Sequence, residues 1–85
     1  MQSKIVQLHP DMRFHARPAG ILAAKANRYD SVVMLMDGEK FADAKNFVSV
    51  MGIGKPEHAQ VELIVDGVDE IEALKELEAL LITLE

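Results

Sequence analysis

The run His15-Ala16-Arg17-Pro18 opens an alanine-rich stretch and brings together the parts that phosphoryl chemistry requires. A neutral imidazole has a nucleophilic ring nitrogen near neutral pH, since its ordinary pKa is about 6.5. Attack on a phosphoryl donor gives a labile N–P bond, so the group can be passed on. That suits a carrier better than a permanent switch. Arg17 offers a planar guanidinium that holds phosphate through paired hydrogen bonds, a geometry lysine does not reproduce. Ala16 is small and leaves space for the phosphate and a docking partner. At a helix start, the unpaired first-turn N–H groups and the helix dipole favour an anion. Pro18 removes one of those donors and leaves others. Transfer at such a site rests on positioning and charge stabilisation. The plain alternative is a surface histidine beside an arginine, with no chemistry.

Those side chains need elements to hold them. Residues 4–8 read as a strand with Val6 and Leu8 on one face, stopped by Pro10, which cannot donate to a ladder. A loop through Asp11, Met12 and Arg13 leads to His15. A helix is expected over 16–27, with Pro18 in its first turn and Asn27 at its stop. Ile21, Leu22, Lys25 and Ala26 follow in it at helical spacing. Residues 31–36 are a β-branched apolar run followed by Asp37-Gly38, a hairpin signal, and 40–44 return. Residues 46–53 read as a short helix capped by Asn46, with Phe47, Val48 and Met51 apolar and Gly52 and Gly54 at its end. A turn over 55–58 precedes a strand over 60–66, which alternates Val61, Leu63 and Val65 with Gln60, Glu62 and Ile64. The last helix is expected to be capped by Asp69, with Glu70 and Glu72 in its first turn. Its stripe of Ile71, Leu74, Leu77, Leu81 and Leu84 must lie on something apolar. The order β-α-β-β-α-β-α, with strands patterned on one side, predicts an α+β open-faced sandwich. Four antiparallel strands would be covered on one face by three helices.

At 85 residues and 49% apolar content the chain is expected to form a single domain, residues 1–85, around one core. It has no cysteine, which excludes disulfides, thiolate metal sites and thiol nucleophiles. No apolar run approaches a membrane span, and residues 1–5 lack the apolar stretch of a signal peptide. A soluble cytoplasmic protein is the expectation. The net charge of −5 is unevenly spread. Residues 1–30 carry five basic and two acidic residues, net +3, and 31–85 carry four basic and twelve acidic, net −8. The basic end holds the histidine motif, which favours an anionic ligand or acidic partner there. An acidic chain with one Tyr, no Trp and no basic stripe does not fit nucleic-acid binding.

His15-Ala16-Arg17-Pro18-Ala19 resembles the active-site run of the HPr family, the phosphocarriers of the bacterial phosphoenolpyruvate-dependent sugar phosphotransferase system. The resemblance covers nearly the whole chain. The first strand, the Asp37-Gly38 hairpin, Ala44-Lys45 ahead of a short helix with Met51, and the Leu-rich closing helix all fall in register. It implies a carrier, not an enzyme, that needs no cofactor. His15 would receive a phosphoryl group from phosphorylated enzyme I through its Nδ1 and pass it to an enzyme IIA domain, with Arg17 stabilising the phosphohistidine. Ala16 would also line the phosphate site. Partners would dock on Ala16, Arg17, Gly20, Ala24, Phe47, Val48 and Met51, on a chain expected to be monomeric. For Phe47, Val48 and Met51 the competing expectation is ordinary core packing.

Three departures point to a divergent paralogue. Many relatives from low-GC Gram-positive bacteria carry a regulatory serine where this chain has Asn46, which has no hydroxyl to phosphorylate. Arg13 stands where the family usually has glycine, so either the loop takes another path or Arg13 adds a phosphate contact. Phe14 replaces a usual aliphatic residue beside the histidine. A regulatory module that docks on a transcription factor or enzyme without phosphoryl transfer is the competing reading. A third is an unrelated α+β domain that binds a small anion at the first helix. His9 and His58 lack metal-ligand spacing, and Gly52-Ile53-Gly54 lacks the rest of any nucleotide loop, so no metal site is expected. The seven acids across residues 66–85 read as a solvated helix face.

Overall fold

Alternating apolar residues fold as strands and residues at helical spacing fold as helices. The order is β1 (Gln2–Gln7), α1 (Ala16–Ala26), β2 (Val32–Asp37), β3 (Lys40–Asp43), α2 (Phe47–Met51), β4 (Gln60–Asp66) and α3 (Glu70–Thr83). This computed structural model describes residues 1–85. The strands form one antiparallel sheet in the order β1-β4-β2-β3. Val6, Val33, Leu35, Ala42, Val61, Leu63 and Val65 are buried on one sheet face beneath the helices, and the alternate residues lie on the open face. The result is the open-faced β-α-β-β-α-β-α sandwich that the pattern predicts.

Boundaries shift where caps and pairing decide them. β1 starts at Gln2 and stops at Gln7, although Leu8 still turns into the core. The expected 46–53 helix is only five residues long, because Gly52 already serves as its C-cap. Asn46 caps it as expected, its side-chain oxygen accepting the Ser49 N–H at 3.1 Å.

The closing helix differs in which face it buries. Ala73, Leu77, Leu81 and the following Leu84 are buried, whereas Ile71 is 74% exposed. At about 100° per residue the buried four span an arc of about 80°, and Ile71 lies about 120° from Leu77. Leu74 and Leu80 flank the arc and pack partly against the core. Ile71 therefore falls outside the buried arc, and the small Ala73 lies within it.

Asp69 also departs from its expected role. It occupies the N-cap position of α3, but its side chain makes no capping bond. Its carboxylate instead accepts from the N–H groups of Asp30 (2.9 Å) and Ser31 (3.0 Å) and from the Ser31 hydroxyl. Ser31 is the buried polar residue of the fold, and this bond satisfies it. Gly67 packs against the same point: a Cβ there would sit 2.6 Å from Ser31 Cα. Backbone cannot yield as a side-chain tip does. Gly67→Ala is therefore expected to cost about 1–3 kcal/mol, read as a lowered thermal midpoint.

The same staple makes stability sensitive to acid. The Ser31 hydroxyl, then the Asp30 N–H, hold the Asp69 carboxyl below its ordinary value. The Gly67 N–H, then the amino terminus, do the same for Glu70. A carboxylate depressed in the folded state contributes stability above its unfolded pKa of about 4 and loses it as pH falls through the folded value. Denaturant midpoints measured downward from pH 5 should therefore fall below about pH 4. Asp69→Asn should shallow that slope; an unchanged slope would remove Asp69 from the effect.

Candidate functional site

The site is built where the loop after β1 turns into α1. Met12 and Phe14 are both buried, so this loop is pinned at alternate residues. The Phe14 N–H donates to Gly54 O at 2.8 Å, tying the loop to the residues just after α2. Phe14, the departure from an aliphatic residue, is a fully buried core side chain. Arg13 is exposed between them. Its backbone stays outside the left-handed region, so the loop accepts arginine without strain. The residue with a positive φ that is not glycine is Ala59, away from this loop in sequence.

His15 then takes the N-cap position of α1 in extended conformation, φ −80° and ψ −172°. Its carbonyl accepts the Ala19 N–H at 3.1 Å, and its own N–H donates to Arg13 O at 2.9 Å. Its side chain caps nothing and is exposed, so the imidazole faces solvent with no structural task. Ala16 and Arg17 follow, both exposed, and their N–H groups have no acceptor within the helix. Pro18 is buried in the first turn. Arg17 takes part in none of the ion pairs of the protein. It lines a shallow depression of about 260 Å³ with Pro18, Ile21, Thr83, Leu84 and Glu85. An imidazole, a guanidinium and two free N–H groups are thus brought to one exposed helix start.

Beside this start, α1 and α2 pack together. The ring of Phe47 approaches Gly20, where a Cβ would lie 4.0 Å from Phe47 Cδ2. The Asn27 side chain caps the far end of α1 and crosses to the next segment, donating to Ala23 O (2.8 Å) and Lys45 O (2.9 Å). Lys45 Nζ in turn donates to Tyr29 O at 2.7 Å. Phe47, Val48 and Met51 are exposed, Val48 by 69%, so core packing does not account for them. Val50 is the residue α2 buries. Ala24 is exposed and Gly20 half-buried, so the expected docking residues reach one surface or its edge. Ile21, grouped by spacing with the buried Leu22, is also exposed and lines the same depression as Arg17.

The other histidines make turns and surface. His9 Nδ1 accepts the Asp11 N–H at 3.3 Å. His58 is exposed, with Asp37 and Glu62 beside it in a shallow depression. No group of three His, Asp or Glu side chains is placed to hold a metal ion. No helix is long and apolar enough to cross a membrane.

Residues 2–83 match the family model described as the PTS HPr component phosphorylation site. A phosphocarrier protein HPr from Treponema pallidum is 38% identical over 66 residues, 78% of this chain and 75% of that protein. The crystal structure of HPr from Thermoanaerobacter tengcongensis superposes with a TM-score of 0.85 at 28% identity, covering 95% of this chain and 91% of that one. Crh, the Bacillus subtilis catabolite repression protein, solved as a swapped dimer, matches at 0.74 with 32% identity, covering 88% of each chain. The fold and the family match are those of a phosphotransferase-system phosphocarrier. The chain belongs to the HPr family.

Proposed function

We propose that His15 accepts a phosphoryl group from phosphorylated enzyme I and passes it to an enzyme IIA domain. The observation that carries this reading is an exposed imidazole at the N-cap of α1 that caps nothing, followed directly by Arg17 and two free N–H groups. A ring nitrogen attacks phosphorus, the N–P bond forms and the bond from phosphorus to the donor breaks. The imidazole proton leaves from the nitrogen that is not phosphorylated. The Arg17 guanidinium and the N–H groups of Ala16 and Arg17 face the charge that arrives. Partners approach over Ala16, Arg17, Gly20, Ala24, Phe47, Val48 and Met51, an apolar surface beside the phosphate site. In this reading the protein is a cytoplasmic, monomeric carrier without turnover of its own.

The test is intact mass after incubation with phosphoenolpyruvate and enzyme I. One phosphoryl group, lost in acid, is expected. No gain, with enzyme I active on another HPr, would overturn the carrier reading and leave the docking module.

Asn46 gives a second check. Its side chain caps α2, a task that needs an acceptor but no hydroxyl. Ser49, one turn on, is half-buried and its Oγ accepts the Asp43 N–H at 3.0 Å. An HPr serine kinase with ATP is therefore expected to leave the chain unmodified. Stoichiometric phosphorylation would show that the register at Asn46 is wrong.

A further inference from the structure

The open face of the sheet carries an apolar surface that the helix-side site does not use. A solvated antiparallel face ordinarily alternates polar residues outward. Here the strand register places two rows across all four strands, Ile5–Glu62–Met36–Phe41 and Ser3–Ile64–Met34–Asp43. Val32, opposite Asp66, adds to one side. Ile5 is 57% exposed, Val32 59% and Phe41 66%, and Met34, Met36 and Ile64 are half-buried between them. With strands about 4.8 Å apart and same-face residues about 7 Å apart along each, the six form one contiguous patch.

Strand propensity does not account for it. Val, Ile and Phe favour strands in their own right, but methionine does not. Methionine is the side chain that adapts to varied apolar partners. Two of the five methionines of the chain sit at the centre of this face.

Charge narrows the occupant. The face carries Asp43 and Glu62 without an ion-pair partner, and Asp66, which the amino terminus meets at 3.4 Å at one side; it carries no lysine or arginine, since Lys4 points to the helix side and pairs with Glu78 at 2.9 Å. A second copy packed face to face would set acid against acid. We propose that this face docks a partner protein through a surface that is apolar at its centre and lysine- or arginine-rich at its rim. The helices that carry His15 lie on the other side of the sheet, so such a partner leaves the helix-side site open.

The probe is a short amphipathic Leu/Lys helix, titrated into the full chain labelled for NMR, with the Leu/Glu version of the same peptide as control. Expected are shifts at Ile5, Met34, Met36 and Phe41 with the Leu/Lys peptide alone, and unchanged binding by His15→Ala. Phe41→Thr keeps β propensity on an exposed edge position and should weaken binding about tenfold or more. Glu62→Lys should do the same by reversing an acid that the partner's basic residues would meet, and both variants are checked for native spectra. Shifts on the acidic outer face of α3 at Glu72 and Glu76, shifts on α1 and α2, equal binding of the Leu/Glu peptide, or no binding would each overturn the proposal. So would concentration-dependent broadening at the same residues without peptide, which would assign the face to a second copy.

Discussion

In the presence of phosphoenolpyruvate and enzyme I, His15→Ala is expected to take up no phosphoryl group, whereas the parent chain takes up one. The fold should not register the change. His15 is exposed and its imidazole makes no capping bond, so alanine removes no structural contact. Its thermal midpoint is expected to stay near the parent value, as for surface changes worth less than about 0.5 kcal/mol. Loss of phosphorylation would then be loss of the acceptor, not of the domain. Arg17→Ala is the graded companion. It keeps the proposed nucleophile and removes the guanidinium proposed to meet the phosphoryl oxygens, so transfer should slow by about a hundredfold, in the range of a lost oxyanion donor. An unchanged rate would take Arg17 out of the mechanism. Labelling of His15→Ala would move the acceptor to His9 or His58.

Phe14→Ala should have the largest effect on stability. Phe14 is 1% exposed and ranks among the largest buried side chains of the core. Truncating a buried phenylalanine costs about 3–5 kcal/mol, through lost transfer energy and the cavity left behind. A domain of this kind has only about 5–15 kcal/mol in total. The variant is therefore expected to unfold at much lower denaturant and to populate unfolded chains on warming. Its position makes the effect more than packing. Phe14 anchors the loop immediately before His15, and its N–H holds Gly54 O after α2. Truncation leaves that backbone bond in place but removes the buried side chain that anchors the loop leading into α1. Phe14→Leu separates the two roles. It should cost less than about 1.5 kcal/mol if the core closes around it, and transfer should persist. A Phe14→Ala variant as stable as the parent would show that the side chain is not the anchor the structure makes it.

Local chemistry was legible in advance. The helix start at His15, the Asp37-Gly38 hairpin and the Asn46 cap each depend on residues within about four positions, and short-range rules reach that far. Val61, Leu63 and Val65 pointed inward because the pleat has period two. Arg13 needs no glycine-like backbone angles, since its φ lies outside the left-handed region; that depends on the path of the whole loop and not on the residue type alone.

Element order, the open-faced class and the placing of imidazole and guanidinium in one turn follow from nearest neighbours and periodicity. Tertiary structure decided what depends on residues far apart. Whether Phe47, Val48 and Met51 are core or surface turns on how α2 meets α1, and periodicity over a five-residue helix defines no unique inner face. That α3 buries Ala73 and not Ile71 depends on which arc of the helix meets the sheet, which spacing alone leaves open. Asp69 gives up its own helix cap for Ser31 and Asp30, nearly forty residues away, because a buried hydroxyl and two backbone N–H groups need an acceptor more than an exposed helix start does.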